Sequence, residues 1–164
     1  SIEGLFSPIV EKIDDKFQFI RDNRQKFLTK KVYDTFCLWS LIWIDNWDIE
    51  LRLSKFEGEE KEKQIKYLSD LGLDDKEYNG LQMKHYIRLL GMGIEILKTG
   101  DLILERPNKD FLIKIRGHKV KMSKIRDEVD KMKIELEEAY QNTNLPNEVD
   151  RDLLKECINL YKIK

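Results

Sequence analysis

Residues 75–100, DKEYNGLQMKHYIRLLGMGIEILKTG, contain the longest helical pattern in the chain. Their apolar side chains recur at steps of three and four residues, which is the spacing of one buried face of an α-helix. Asp75 opens the segment, and Gly100 stands where a glycine commonly ends a helix in the left-handed conformation. The spacing therefore predicts one long helix whose buried face consists of Tyr78, Leu81, Tyr86, Leu89, Leu90, Ile94 and Leu97.

Helical periodicity continues on both sides of this segment. Thr29 is a suitable N-cap for a helix that is apolar almost all round between Thr35 and Ile44, so we expect that helix to be the central one. Four more helices are predicted: one through Ile9, Ile13, Phe17 and Ile20 that ends near Asn23, one from Glu59 to Leu71 closed by Gly72, one from Met122 to Tyr140, and one from Asn147 to Tyr161.

The period changes between residues 101 and 116. Leu102 and Leu104, then Phe111, Ile113 and Ile115, alternate with polar residues around the turn-like stretch PNKD. Alternation of this kind predicts two short strands. The expected fold is therefore mainly α: a bundle of about six helices with a small β-hairpin near 101–116, in a single domain that spans residues 1–164.

Charge is strongly segregated although the formal net charge is only −1. Residues 106–126 contain eight Lys and Arg against one acid, and residues 127–152 contain nine acids against three bases. A local basic stretch of this kind favours an anionic partner. No apolar run approaches the roughly 18–20 residues of a membrane span, so no membrane partner is expected. Cys37 and Cys157 lack metal-ligand spacing and are interpreted as buried free thiols of a cytoplasmic protein.

Sequence motifs typical of catalytic sites are missing from this chain. No glycine is followed by serine, and none lies in a phosphate-binding loop. His85 and His118 stand outside any zinc spacing, and the acidic pairs at 14–15 and at 45 and 48 are interpreted as solvated helix faces. We therefore expect no catalytic residue and no metal site in this chain.

Two groups of cations are candidates for anion binding. Lys84, His85 and Arg88 lie within one turn of the long helix, and Arg88 can present a planar fork to phosphate. The second group is the basic run 106–126. Together they could bind nucleotide or RNA phosphates. The alternatives are a helix face that pairs with acids elsewhere and a lysine-rich edge hairpin that resists aggregation.

Tryptophans recur every four residues at Trp39, Trp43 and Trp47. One ring per helical turn places all three on one face, and such a stripe is far more often part of a core than a platform for stacked bases. We therefore interpret it as core.

Residues 84–100, KHYIRLLGMGIEILKTG, resemble the KH…RLLRMGxEIL…G signature of predicted nucleotidyltransferases of the DNA polymerase beta superfamily, in the branch associated with RNA repair. Further segments resemble motifs of that family in the same order: IEGLFSP at 2–8, FLTKKVYDTF at 27–36, RP at 106–107 followed by LIKIRG at 112–117, and LPNEVDR at 145–151. The chain departs from the pattern at Cys37-Leu38-Trp39-Ser40, at His118 and at Val149.

The resemblance covers only the helical C-terminal half of such an enzyme. It implies that a catalytic domain with a Gly-Ser turn and a metal-binding Asp-x-Asp would precede Ser1, as a missing N-terminal partner of this chain. The full enzyme would transfer a nucleotidyl group from an NTP to an RNA end with Mg²⁺ bound by that domain, so this chain needs no cofactor of its own. Its own contribution would be contacts to nucleotide or RNA phosphates through Lys84, His85 and Arg88, and then through Arg106, Arg116 and Lys30.

A different class of function stays open beside this one. A stand-alone helical module could bind a protein partner through an apolar helix face, with the basic stretch meeting an acidic surface.

Overall fold

The computed structural model describes residues 18–19 and 22–161, and the chain is helical over most of that length. A 3₁₀ turn at Arg24–Phe27 precedes a π-helical segment at Tyr33–Leu38, which runs directly into helix α1. The helices are α1 at Trp39–Trp47, α2 at Ile49–Ser54, α3 at Gly58–Asp70, α4 at Gly80–Thr99, α5 at Lys109–Arg116, α6 at Met122–Asn142 and α7 at Arg151–Tyr161. None of these helices is long and apolar enough to cross a bilayer.

Helix α4 is the centre of the fold, since α1, the π-helical segment, α5 and α6 all pack against it. The long helix predicted from residues 75–100 is confirmed, although it starts only at Gly80. The prediction that Leu81 lies on its buried face is wrong, because that side chain is 56% exposed. The Asn79 side chain accepts a hydrogen bond of 3.2 Å from the N–H of Gln82 and so caps the first turn. Gly100, at φ +72°, ends the helix as expected.

The prediction that the helix through Thr35–Ile44 is central is wrong. On α1 only Ser40, Ile44 and Trp47 are buried, whereas Trp39 is 52% and Ile42 is 61% exposed. The tryptophan stripe is therefore core at Trp47 and half-buried at Trp43, but surface at Trp39. The physical reason is that, among the described helices, α1 packs side by side mainly against α4, so its apolar composition on every face did not lead to burial on every face.

The β-hairpin predicted near 101–116 is also wrong, because no strand forms in the described part of the chain. Residues 102–104 have no regular structure, and residues 109–116 are helix α5. Leu112 and Ile115, three residues apart, are buried, while Ile113 points outward and is exposed. The short apolar run fits both periods, and packing on α4 selects the helical one. The basic run is consequently not an edge hairpin.

The remaining predicted helices are largely confirmed. The one predicted at 59–71 is α3, followed by Gly72 at φ +74°. The one predicted at 122–140 is α6, and the last helix starts at Arg151 rather than at Asn147. Thr29 is not the N-cap, because the π-helical segment begins after Val32; its Oγ1 instead accepts from the N–H of Lys31 at 3.2 Å in the preceding turn. The predicted first helix falls mostly on residues 1–17, 20 and 21, which lie outside the described residues.

A polar cluster ties α6 to the corner between α1 and α2. Arg126 donates to the Asp48 carboxylate at 2.8 and 3.0 Å and to Asp45 at 2.6 Å. Asp48 is buried and also accepts from the N–H of Leu51, so it caps α2 as well. The two acids that the sequence suggested as a solvated face therefore neutralise one arginine of the basic run.

We expect Gly93→Ala to destabilise the fold by about 2 kcal/mol, because a Cβ at this position would overlap the Cys37 sulfur and lie 2.9 Å from the Phe36 Cβ. Urea unfolding followed by circular dichroism measures the loss. The variant that also carries Cys37→Ala removes the sulfur, so the two losses should combine less than additively. Wild-type stability for Gly93→Ala would contradict the close approach.

We expect only one of the two cysteines to react in the folded chain. Burial raises the pKa of the Cys37 thiol to about 12, and the reactive thiolate is therefore scarce at pH 8, whereas Cys157 is only partly buried. Titration with a disulfide reagent at pH 8 should give one thiol before unfolding and two after it. Cys157→Ser should remove the fast-reacting thiol, and two equally fast thiols in the native wild type would refute the assignment.

Candidate functional site

A groove of about 740 Å³ lies between α4, α5 and the loop that precedes α5, and we call it the α4–α5 groove. It brings together four of the six candidate residues, namely Lys84, His85, Arg88 and Arg106. Its remaining lining is Leu81, Gln82, Tyr86, Leu104, Glu105, Lys109, Leu112 and Ile113. The volume is in the range typical of small-ligand sites.

Helix α4 presents the first three of these residues on one stripe. Lys84 and Arg88 are one helical turn apart, with His85 beside them, and buried Met83 and Ile87 hold the adjoining face of the helix in the core. The cluster therefore projects from a rigid element. Arg88 Nη2 donates to the Leu104 carbonyl at 3.3 Å, which holds its guanidinium against the loop.

Neither Lys84 nor Arg88 has a carboxylate within 4 Å among the described residues. The alternative of a helix face that pairs with acids therefore finds no such pair in this part of the chain. Lys109 adds a third cation from the start of α5, and Glu105 is the one acid in the lining. The groove thus carries an excess of positive charge that is open to an anion.

Arg106 has a different role from the other cations. Its side chain is only 10% exposed and is ion-paired with Glu95 of α4. Its guanidinium passes Gly91, where Nη2 lies 3.1 Å from the position that a Cβ would occupy. Arg106 also lines a second groove of about 580 Å³ on its other side. It therefore forms the wall between the two grooves, and Glu95 already neutralises its charge.

Arg116 and Lys30 lie outside the groove. Arg116 is exposed at the C-terminal end of α5, and the backbone N–H of Lys30 donates to the Pro146 carbonyl at 2.9 Å. The basic run is also divided, since Arg126 binds Asp45 and Asp48 and does not reach the groove. The structure therefore brings four of the six candidate anion-binding residues together in the α4–α5 groove and places the other two outside it.

Apolar side chains form a part of the groove that the sequence analysis missed. Leu81, Leu104 and Ile113 are all exposed there, although each is large and hydrophobic. Tyr86 lies beside them and stacks on Trp43 of α1 at a ring distance of 5.8 Å. The sequence analysis placed Leu81 on the buried face of the helix, although it stands three and four residues before Lys84 and His85 and therefore shares their face. The combination suits a ligand with a flat apolar part and an anionic part.

His118 is not part of this groove. Its Nε2 lies 3.2 Å from the Gly80 nitrogen and 3.1 Å from the Tyr78 carbonyl oxygen, and its ring stacks on Tyr78 at 5.2 Å. The residue adopts φ +57°, a left-handed conformation. It joins the end of α5 to the start of α4. No group of three or more potential ligands that could hold a metal ion occurs in the described residues.

No family model, curated protein or solved structure matches the chain. The resemblance to nucleotidyltransferases therefore stays a prediction from its motifs.

We expect Arg106→Ala to lower the free energy of unfolding by roughly 2–3 kcal/mol, because it leaves the partly buried Glu95 carboxylate without its partner. The matched control is Arg88→Ala, whose expected loss is below about 0.5 kcal/mol because Arg88 has no ion pair with any described residue. Urea unfolding of both variants tests the distinction. Equal losses of stability in the two variants would show that Arg106 contributes no more to the stability of the fold than Arg88 does.

Proposed function

We propose that this chain is the helical C-terminal part of a polymerase-beta-like nucleotidyltransferase and that its α4–α5 groove binds nucleotide or RNA phosphates. The observation that carries the proposal is the position of the KHxxR motif. Lys84, His85 and Arg88, the residues on which the family resemblance centres, all line one groove without a carboxylate partner in the described residues.

The chemistry of the groove supports a ligand of this type. Arg88 offers a planar fork for two phosphate oxygens, and Lys84 and Lys109 offer point charges around it. Leu81, Leu104 and Tyr86 provide apolar surface for a ribose or a base. A nucleotide needs both kinds of contact, which the lining supplies within one cavity.

The division of labour follows from the residues that are present. Nucleotidyl transfer, with its Mg²⁺ and NTP, is assigned to the catalytic domain that the resemblance implies, and this chain contributes binding. Arg106, held by Glu95, keeps the wall of the groove in place beside the cations without such a partner. We propose a cytoplasmic location, which the two free cysteines support.

A helical module that binds a protein partner is the second candidate. It is favoured by the apolar surface that Trp39 and Ile42 expose on α1. Salt separates the two candidates, because phosphate binding falls steeply as salt rises, whereas an apolar interface does not.

We expect Arg88→Glu to weaken binding of both labelled RNA and ATP–Mg²⁺ by roughly tenfold or more, and to lower the salt slope of RNA binding by about one. Fluorescence titration at low and moderate salt measures both effects, and circular dichroism should show unchanged helicity. Affinity equal to that of the wild type would refute the proposal.

Arg116→Glu is the matched control, since it makes the same change of charge outside the groove. Its effect on affinity should be much smaller. An equal loss in both variants would mean that overall charge, and not the groove, carries the binding.

A further inference from the structure

One stripe of α4 carries both the groove cations and the residues that hold Arg106. Lys84, Arg88, Gly91 and Glu95 follow one another at steps of four, three and four residues, so they share one face of the helix. The first two line the α4–α5 groove, whereas Gly91 and Glu95 line the second groove, on the other side of Arg106. The contact that holds Arg106 therefore lies next to the candidate anion site along the same helix.

The loop that precedes α5 is attached at both ends, but by ion pairs of unequal strength. At its start, Asp101 pairs with Arg24 at 3.3 Å, and because both side chains are well exposed to water such a pair contributes little. At its end, Arg106 and Glu95 form an ion pair whose side chains are only 10% and 25% exposed. A pair largely removed from water is costly to break, so the second attachment is the one that fixes the loop.

Between these two ends, the loop contacts the groove cation Arg88. The Leu104 carbonyl oxygen accepts from Arg88 Nη2 at 3.3 Å. The Leu104 side chain is 62% exposed, so it adds little packing that could hold this part of the loop. Arg106 follows two residues later, and two residues of chain span at most about 7 Å. The position of the Leu104 carbonyl therefore depends on the Arg106–Glu95 ion pair.

We propose that Glu95 and Arg106 are positioning residues for Arg88. The ion pair fixes the loop, the loop fixes the Leu104 carbonyl, and the carbonyl orients the Arg88 guanidinium. A guanidinium has five N–H donors, so the bond to Leu104 leaves most of them for phosphate oxygens. A side chain that is already held in one orientation also loses less conformational freedom when it binds.

Gly91 is required for this arrangement. A Cβ at that position would lie 3.1 Å from Arg106 Nη2, so the absence of a side chain lets the guanidinium pass along α4 to Glu95. The inference takes the identity of the ligand from the proposed function. The conformation of Arg88 does not depend on that function and can be tested without a ligand.

The test removes the ion pair without changing the net charge. Glu95→Gln combined with Arg106→Gln, which we call the neutral-pair variant, removes both charges together and so leaves no unpaired buried charge. Lys98→Gln combined with Glu135→Gln is the control variant. It removes a neighbouring ion pair of α4 that also lines the second groove, with the same change of residue types and no contact to the loop carbonyl.

Arginine modification reports the orientation of Arg88 in the absence of ligand. A dicarbonyl reagent that attacks guanidinium groups is added to the folded chain, and mass spectrometry gives the rate at each arginine. Arg88 should react several times faster in the neutral-pair variant, because its guanidinium is released from the Leu104 carbonyl, and at the wild-type rate in the control variant. Arg116, which is exposed, and Arg126, which is held in its ion-pair cluster, should keep their wild-type rates in both.

Binding shows whether the ion pair acts through Arg88. Affinity for ATP–Mg²⁺ should fall roughly three- to tenfold in the neutral-pair variant, which lies within the range for coupled residues. When Arg88→Ala is already present, the same replacement should cause no further loss, because no guanidinium is left to orient. Equal losses with and without Arg88 would overturn the positioning role.

The two measurements keep this inference apart from the proposed function. An unchanged modification rate at Arg88 in the neutral-pair variant would overturn the inference, whatever the ligand. Faster modification of Arg126 as well would also overturn it, because the ion pair would then support the whole fold and not one side chain. If Arg88 alone reacts faster but the wild-type chain binds neither RNA nor ATP–Mg²⁺, the proposed function fails and the positioning role stands.

Discussion

The close approach that two glycines allow on α4 is the constraint on which the rest of the structure depends. Gly93 admits Cys37 on one face, and Gly91 admits the guanidinium of Arg106 on another. A side chain at either position would push a neighbouring segment outward. The first contact sets the distance of the π-helical segment and α1, and the second fixes the loop that closes the α4–α5 groove. Both the core and the candidate site are therefore set from one turn of one helix.

Local spacing was sufficient to predict α4 and the cation cluster on it. All the features that predict it lie in α4 itself or directly after it: the apolar steps of three and four residues, the Lys84–Arg88 turn and the terminal Gly100. The α5 segment shows where local spacing fails. Its apolar residues fit an alternating and a helical period almost equally, and only the burial of Leu112 against α4 distinguishes them.

The tertiary features of the site could not be predicted from spacing. The sequence analysis grouped Arg106 with the other candidate cations, and it did not predict that Arg106 forms an ion pair with Glu95. Its partner Glu95 lies on α4, and no pattern around Arg106 in the sequence predicts this ion pair. The same holds for Trp39, which shares a stripe with a buried tryptophan and is nevertheless exposed. The sequence of a helix identifies its apolar side chains, but whether a given one is buried depends on which other helices pack against that side of the helix.

The π-helical segment at Tyr33–Leu38 has a consequence for how this chain can change by insertion and deletion. A π turn holds one residue more than an α turn, and each residue of an α-helix advances the chain by about 100°. Deleting one residue there would restore ordinary helical geometry and rotate the preceding chain by about that angle relative to α1. Alternatively, if the preceding chain stays in place, α1 itself rotates and a different side chain replaces Trp39 at the surface. Deletion of a single codon in this segment would therefore change which side chains of α1 face α4 and which face outward, without altering any residue of α1 itself.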